Sequence, residues 1–296
     1  MKVTLLDGGM GQELVHRAGD RPTPLWSTQV MIDRPGLVQE IHADYFASGA
    51  TVATANTYAI LRDRLAPAGI EDRYEELVEA AMAEATKARD AFGSGKVAGS
   101  TAPLGASYRT DKHPDLDAAI PLYAEKARLM APHADLIVIE TAASLLTCRA
   151  ALAGALEAGK PVWLSISVDD EDGTRLRSGE KVADVLPIAR DGAAALLVNC
   201  SAPEAMPAAL DILARGDLPT GAYANGFTRI TKDFLKDRPT VDSLVARRDM
   251  GPEIYATHAM SWLDRGATIL GGCCETGPAH TAEIARRLRA AGHEIA

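Results

Sequence analysis

The 296 residues are 47% hydrophobic and 24% charged, ordinary globular proportions that exclude disordered, collagen-like and coiled-coil classes. With 31 basic against 40 acidic side chains the net charge is −9, which excludes nucleic acid as a default partner because phosphate binding needs a surplus of Lys and Arg. The opening MKVTLLDGGMG holds one Lys and a short apolar run, too little for a signal-peptide core or a membrane span, so a cytoplasmic protein with no membrane partner is expected.

In chain order, residues 3–6 are a short β-branched run, and 36–48 follow with Leu37, Ile41, Tyr45 and Phe46 spaced for one helical face. Residues 51–54 are a second run. Behind it Tyr74, Leu77, Val78, Ala81, Met82, Ala85 and Ala88 recur among Glu, Lys and Arg, which predicts an amphipathic helix ended by Gly93 and Gly95. Residues 96–99 are a third strand, followed by a helix over about 117–130. The uninterrupted LIVI of 136–139 predicts a fourth strand buried on both faces. A helix over 144–158 leads to strand 161–168, a helix near 184–190 to strand 194–198, and a helix over 203–213 to strand 219–224. Helix 251–263, strand 268–270 and a closing helix over 279–291 complete the pattern. Length alone allows two domains of ~150 residues or one α/β barrel of roughly 250. Eight strand–helix units with no linker between halves favour a single (β/α)8 TIM barrel over residues 1–296. Two stretches stand outside the rhythm. One is the polar turn DDEDGTRLRSGE of 169–180, read as a solvated acidic turn, and the other is the loop 225–250, longer than packing requires.

Functional groups of a parallel barrel collect where its strands end. Asp7, Gly8 and Gly9 follow the first strand, Asn56, Thr57 and Tyr58 the second, and Glu140 and Thr141 the fourth. Asn199, Cys200 and Ser201 follow the sixth, and Gly271, Gly272, Cys273 and Cys274 the eighth. In a reducing compartment cysteines are core residues, ligands or catalytic groups before they are disulfides. Three of the four, Cys200, Cys273 and Cys274, share one rim, and three thiolates with a fourth coordination place open make a zinc site. Their separation excludes a finger, which draws its ligands from close pairs. A Cys-Cys pair also reads as two small buried hydrophobes, a reading that the flanking glycines and the third rim cysteine disfavour. Cys148 lies in a helix and is read as a core thiol; His258 and His280 are read as packing or capping groups. Gly9-Met10-Gly11 resembles the opening of a dinucleotide fingerprint, but Leu14 stands where the third glycine belongs. A glycine turn at a small ligand fits better, with Gly8 and Gly9 N–H groups for a carboxylate and a side-chain carboxylate for an ammonium.

Together GGCCETGPAH at 271–280, VNCS at 198–201 and LDGGMGQEL at 6–14 resemble the homocysteine S-methyltransferase family, and the similarity runs over essentially the whole chain. The resemblance implies a zinc-bearing barrel in which the thiol substrate completes the metal's coordination. Cys200, Cys273 and Cys274 match the family's catalytic zinc ligands, Asp7 and Glu140 the residues that hold the amino acid portion, and Asn56 and Tyr58 the pocket wall. Asn199 would bind at the site or orient the ligand loop. The implied reaction gives methionine from homocysteine and a small sulfonium donor such as S-methylmethionine. The alternatives are a homocysteine-binding subunit of a split cobalamin-dependent methionine synthase, served by a separate corrinoid protein, and a non-catalytic metal-binding or redox barrel. A free thiol is only about 3% thiolate at pH 7, whereas a metal-bound thiol is deprotonated outright; three protein thiolates also favour a cationic donor. There are two departures from the family's pattern. Glu275 follows the cysteine pair where the family often has Arg or a small residue, and the loop from Asn225, where donor choice is expected to be made, lacks the Pro-Asn pattern common in the family.

Overall fold

The computed structural model describes residues 1–19, 23–228 and 245–296. Its strands are β1 (Lys2–Leu5), β2 (Val52–Thr54), β3 (Lys96–Thr101), β4 (Leu136–Ala142), β5 (Val162–Ile166), β6 (Ala193–Asn199), β7 (Thr220–Tyr223), β8 (Ala267–Leu270) and β9 (Glu294–Ile295). The helices among the described residues are α1 (Met10–Ala18), α2 (Ser27–Asp33), α3 (Leu37–Ala47), α4 (Arg62–Leu65), α5 (Tyr74–Phe92), α6 (Leu116–Met130), α7 (Leu145–Leu156), α8 (Val185–Ala189), α9 (Met206–Leu213), α10 (Pro252–Leu263) and α11 (Pro278–Ala290). None is long and apolar enough to cross a membrane.

Every expected strand has its counterpart, and all pair in parallel in the order β2-β3-β4-β5-β6-β7-β8-β1-β9. The fold is thus α/β with a curled parallel sheet of nine strands. The ninth was not foreseen, since two residues are too few to display an alternation. Curling follows from the packing: Val52, Ala98, Val138, Leu197, Tyr223 and Ile269, drawn from strands at both sides of the order, share one buried cluster. A flat sheet would hold such side chains far apart. β4 explains its own composition, because Leu136 and Val138 enter that cluster while Ile137 and Ile139 pack into the main core with the helices. Between β1 and β2 there is one isolated parallel bridge, Leu6 to Val52, flanked by Thr51 N–H donating to Leu5 O (2.7 Å) and Asp7 N–H to Val52 O (3.2 Å).

The helices end where their chemistry says. α5 buries the seven residues that its spacing singled out and stops at Gly93, which takes φ +86, a conformation open to glycine at little cost. Asp115 and Ser144 cap α6 and α7 by accepting from Ala118 N–H and Thr147 N–H. α1 forms where the sequence suggests only a glycine turn, and Met10, Leu14 and Ala18 lie on its buried side. Of the long loop 225–250, residues 229–244 lie outside the described residues; its two limbs meet in an antiparallel bridge, Phe227 to Ala246.

Candidate active site

β7 acts as the template for the cysteine cluster. Its carboxyl end offers two successive carbonyls: Tyr223 O accepts from Cys200 N–H (3.1 Å), and Ala224 O from Cys273 N–H (3.0 Å). The loops after β6 and β8 are thereby drawn onto the strand between them, and the Sγ atoms of Cys200, Cys273 and Cys274 all lie within 4.8 Å of one another. Cys200 and Cys274 sulfurs are 3.7 Å apart. Tyr108 donates its hydroxyl to Cys200 Sγ (3.0 Å), and Asn199 Nδ2 reaches Cys273 Sγ at 4.0 Å. Hydrogen bonds from the other two thiols and from Tyr108 hold the Cys200 thiol well below its ordinary range, and the same shared contacts push Cys273 and Cys274 up. The three sulfurs can hold a metal ion.

They open onto a cavity of about 510 Å³ whose other lining includes Asp7, Glu140, Trp26, Tyr58 and Tyr108. Asp7 Oδ2 accepts from Thr54 N–H (2.7 Å), yet burial, reinforced by nearby Glu140, pushes its carboxyl up to about 8. Glu140 accepts from the Ser100 hydroxyl in a short hydrogen bond, and burial raises it to about 7. Two buried carboxyls raised to about 8 and about 7 beside one cavity are poised to ionise when a cationic group arrives. Behind Asp7, His42 Nδ1 lies 3.9 Å from Oδ2; burial pushes this imidazole down to about 3, so it is neutral.

Other expected residues have more particular fates. Asn56 and Tyr58 line the cavity, Tyr58 OH being 2.7 Å from Ser107 Oγ. Gly8 and Gly9 line it as well, but the Gly9 N–H expected to hold a carboxylate donates to Thr276 O (2.7 Å). A Cβ added at Gly9 would lie 2.6 Å from Cys273 O, so close approach to the cysteine loop is what excludes a side chain there. Of the two places expected for Asn199, at the substrate or orienting the ligand loop, its position fits the second. It is fully buried and outside the cavity lining, with Oδ1 accepting from Thr141 N–H (2.9 Å) and Ser165 Oγ (2.8 Å). It therefore ties the ends of β4, β5 and β6 together behind the cysteines. Cys148 is buried in the core, and His280 Nδ1 accepts from Gly277 N–H (3.1 Å) at the start of α11, a capping role. The acidic turn is only partly solvated, since Asp170 pairs with Arg177 (2.8 Å).

Sequence reasoning passed over Trp26, Tyr108, Arg177 and Lys126. Lys126 is buried on α6, donates Nζ to Thr57 O (2.7 Å) and is pushed down to about 7 by burial; it anchors the loop that carries Asn56 and Tyr58. Arg177 lies over the Tyr108 ring (4.8 Å) and donates Nη2 to Cys200 O (3.3 Å). One structural signal unites the site: the described non-glycine residues with positive φ are Trp26, Tyr108, Thr141, Cys200 and Glu275. All but Glu275 line the cavity, and Glu275 adjoins lining residue Cys274. Such conformations cost about 1–3 kcal/mol each and persist where surroundings over-determine them.

The family model for homocysteine S-methyltransferase matches residues 4–288. This chain belongs to that family. It is 29% identical to homocysteine S-methyltransferase of Escherichia coli (strain K12), over 96% of this chain and 95% of the relative. With homocysteine S-methyltransferase YbgG of Bacillus subtilis (strain 168) it shares 27% identity over 96% and 94%. With selenocysteine Se-methyltransferase of Brassica oleracea var. italica it shares 25% over 96% and 88%. Among solved structures, the metallated form of homocysteine methyltransferase MmuM from E. coli superposes with a TM-score of 0.80 at 28% identity, covering 97% of this chain and 96% of that one. The apo form of MmuM gives 0.73 at 27% identity, with the same coverage. Within the family, the three cysteines and the cavity below them are the parts that chemistry must explain.

Proposed function

We propose that the protein transfers a methyl group to the thiol of homocysteine, giving methionine, with zinc held by Cys200, Cys273 and Cys274. The observation that carries this reading is the convergence of three sulfurs on one wall of a cavity that also holds two buried carboxyls. The donor set fits the ion: zinc–sulfur bonds of about 2.3 Å in a tetrahedron put sulfurs roughly 3.8 Å apart, and Cys200 and Cys274 are 3.7 Å apart. Zinc bound there supplies the acceptor thiol in its thiolate form at neutral pH.

Asp7 and Glu140 take the acceptor's ammonium, which lowers both carboxyls toward their ordinary range and sets the sulfur against the cysteine wall. The donor is a small sulfonium such as S-methylmethionine, favoured by the anionic cysteine cluster and by the rings of Trp26, Tyr58, Tyr108 and Phe227 around the cavity. The acceptor sulfur's lone pair attacks the methyl carbon in line. The donor's carbon–sulfur bond breaks, and its electron pair returns to the donor sulfur, leaving a neutral thioether. No observation favours a separate corrinoid donor. We also read residues 1–296 as one domain, supported by the family match over 4–288, and the curled sheet as a closed barrel, supported by the bridge of Leu6 to Val52. Four free thiols suit a reducing cytoplasm.

Reduced purified protein is expected to carry one zinc per chain, to lose it in Cys273→Ser, and to form methionine from homocysteine and S-methylmethionine. Zinc-free reduced protein, or zinc protein that forms no methionine, overturns the reading.

A further inference from the structure

Glu275, the residue after the cysteine pair, is joined to Trp26 by two hydrogen bonds in series through Gln12. Gln12 Nε2 donates to Glu275 Oε1 (2.6 Å), and Gln12 Oε1 accepts from Trp26 Nε1 (2.9 Å). Gln12 and Trp26 line the cavity, whereas Glu275 stands outside that lining. We propose that Glu275, acting through Gln12, fixes the Trp26 indole as a cavity wall and thereby selects the methyl donor. This rests on the reading that the donor enters the cavity below the cysteines.

The logic lies in the donors and acceptors. A carboxylate accepts hydrogen bonds and an indole N–H only donates. A primary amide between them has one orientation that satisfies both, its NH2 toward Glu275 and its oxygen toward Trp26. An Arg at 275 would demand the amide oxygen for itself and turn the NH2 against the indole N–H, donor facing donor. The residue after the cysteine pair thus reaches the cavity wall without touching what binds there.

Three further observations show that the arrangement is built. Trp26 takes φ +47 and ψ −125, a conformation found mainly in glycine, so its placement is held against a backbone cost. Gly11 lies beneath the ring, where an added Cβ would be 2.3 Å from the indole Cζ2. Gly226 leaves room at the other end: an added Cβ there would be 2.9 Å from Glu275 Cβ, and Glu275 itself takes φ +62. Space is cleared at both ends of the relay, and both end residues adopt strained backbones. Glu275 and Gln12 are therefore positioning residues, and Trp26 is the surface that a donor meets.

The test uses full-length zinc enzyme and four variants: Glu275→Gln, Glu275→Arg, Gln12→Leu and Trp26→Phe. The protein has three tryptophans, so its 15N-labelled indole spectrum is simple, and loss of one signal in Trp26→Phe assigns Trp26. In wild type and Glu275→Gln that Nε1–H is expected to exchange slowly with solvent; in Glu275→Arg and Gln12→Leu it is expected to shift and exchange faster. The KM for S-methylmethionine should rise roughly tenfold in the same two variants, the scale of one hydrogen bond, with the homocysteine KM and zinc content unchanged and Glu275→Gln near wild type. Gln12→Leu, on a different element from the cysteine loop, guards against simple disruption of that loop by Glu275→Arg. An unchanged Trp26 signal in both variants overturns the relay, and a moved signal with unchanged donor KM overturns its selecting role. Wild-type protein that never uses a sulfonium refutes the donor assignment and donor selection together, while the indole signal alone separately decides whether the relay exists.

Discussion

Asp7, which we propose binds the acceptor's ammonium, also carries a stability cost. Its carboxyl is held near 8 by burial, against an ordinary value of 3.8. Between those pH values the unfolded chain has released this proton and the folded chain keeps it, so stability falls as pH rises through the window. Asp7→Asn removes the loss. Its melting temperature, compared with wild type without homocysteine, should gain an advantage from pH 4 to pH 8, while its homocysteine KM rises at least roughly thirtyfold (about 2 kcal/mol), the lower bound for truncating a buried charge pair. Parallel melting curves and an unchanged KM would remove Asp7 from the site. The carboxylates and cysteines were legible because residue type and strand-end position both marked them. Trp26 and Tyr108 were not, because an aromatic residue in a loop has no spacing to betray it.

Among the elements, the polar turn of residues 169–180 changes most in meaning. It folds back through antiparallel bridges of Val168 with Leu176 and Arg175 with Lys181, which carries Arg177 inward. That side chain is only 11% exposed, pairs with Asp170, donates Nε to Ser167 Oγ (2.8 Å) and reaches Cys200 O (3.3 Å). The turn thereby braces the strained Cys200 from the side opposite β7. Residues that orient metal ligands typically contribute 10–100-fold to metal affinity. Arg177→Ala should lose affinity on that scale in a chelator competition; an unaltered competition curve would mean that β7 alone holds Cys200. Acidic composition predicted a solvated turn, and only the partner, eight residues beyond the first aspartate, shows why Asp170 faces inward.

At the scale of the whole molecule, the seam between β1 and β2 decides whether the curled sheet closes. The amides of Thr51 and Asp7, which donate across it, should be as protected from hydrogen exchange as those of the β4–β5 ladder if the barrel is shut; exchange at the rate of an exposed turn would leave the seam open. The sequence by itself determined the alternation of eight strands with helices and the cysteines at strand ends, because period, punctuation and residue chemistry are local properties. Only the tertiary structure decided that β7 gathers two cysteine loops onto adjacent carbonyls, that Asn199 works behind the site, and that Glu275 reaches Trp26 through Gln12. Those facts depend on which loop meets which once the sheet curls, and contacts between residues as far apart as Gln12 and Glu275 leave no periodic trace along the chain.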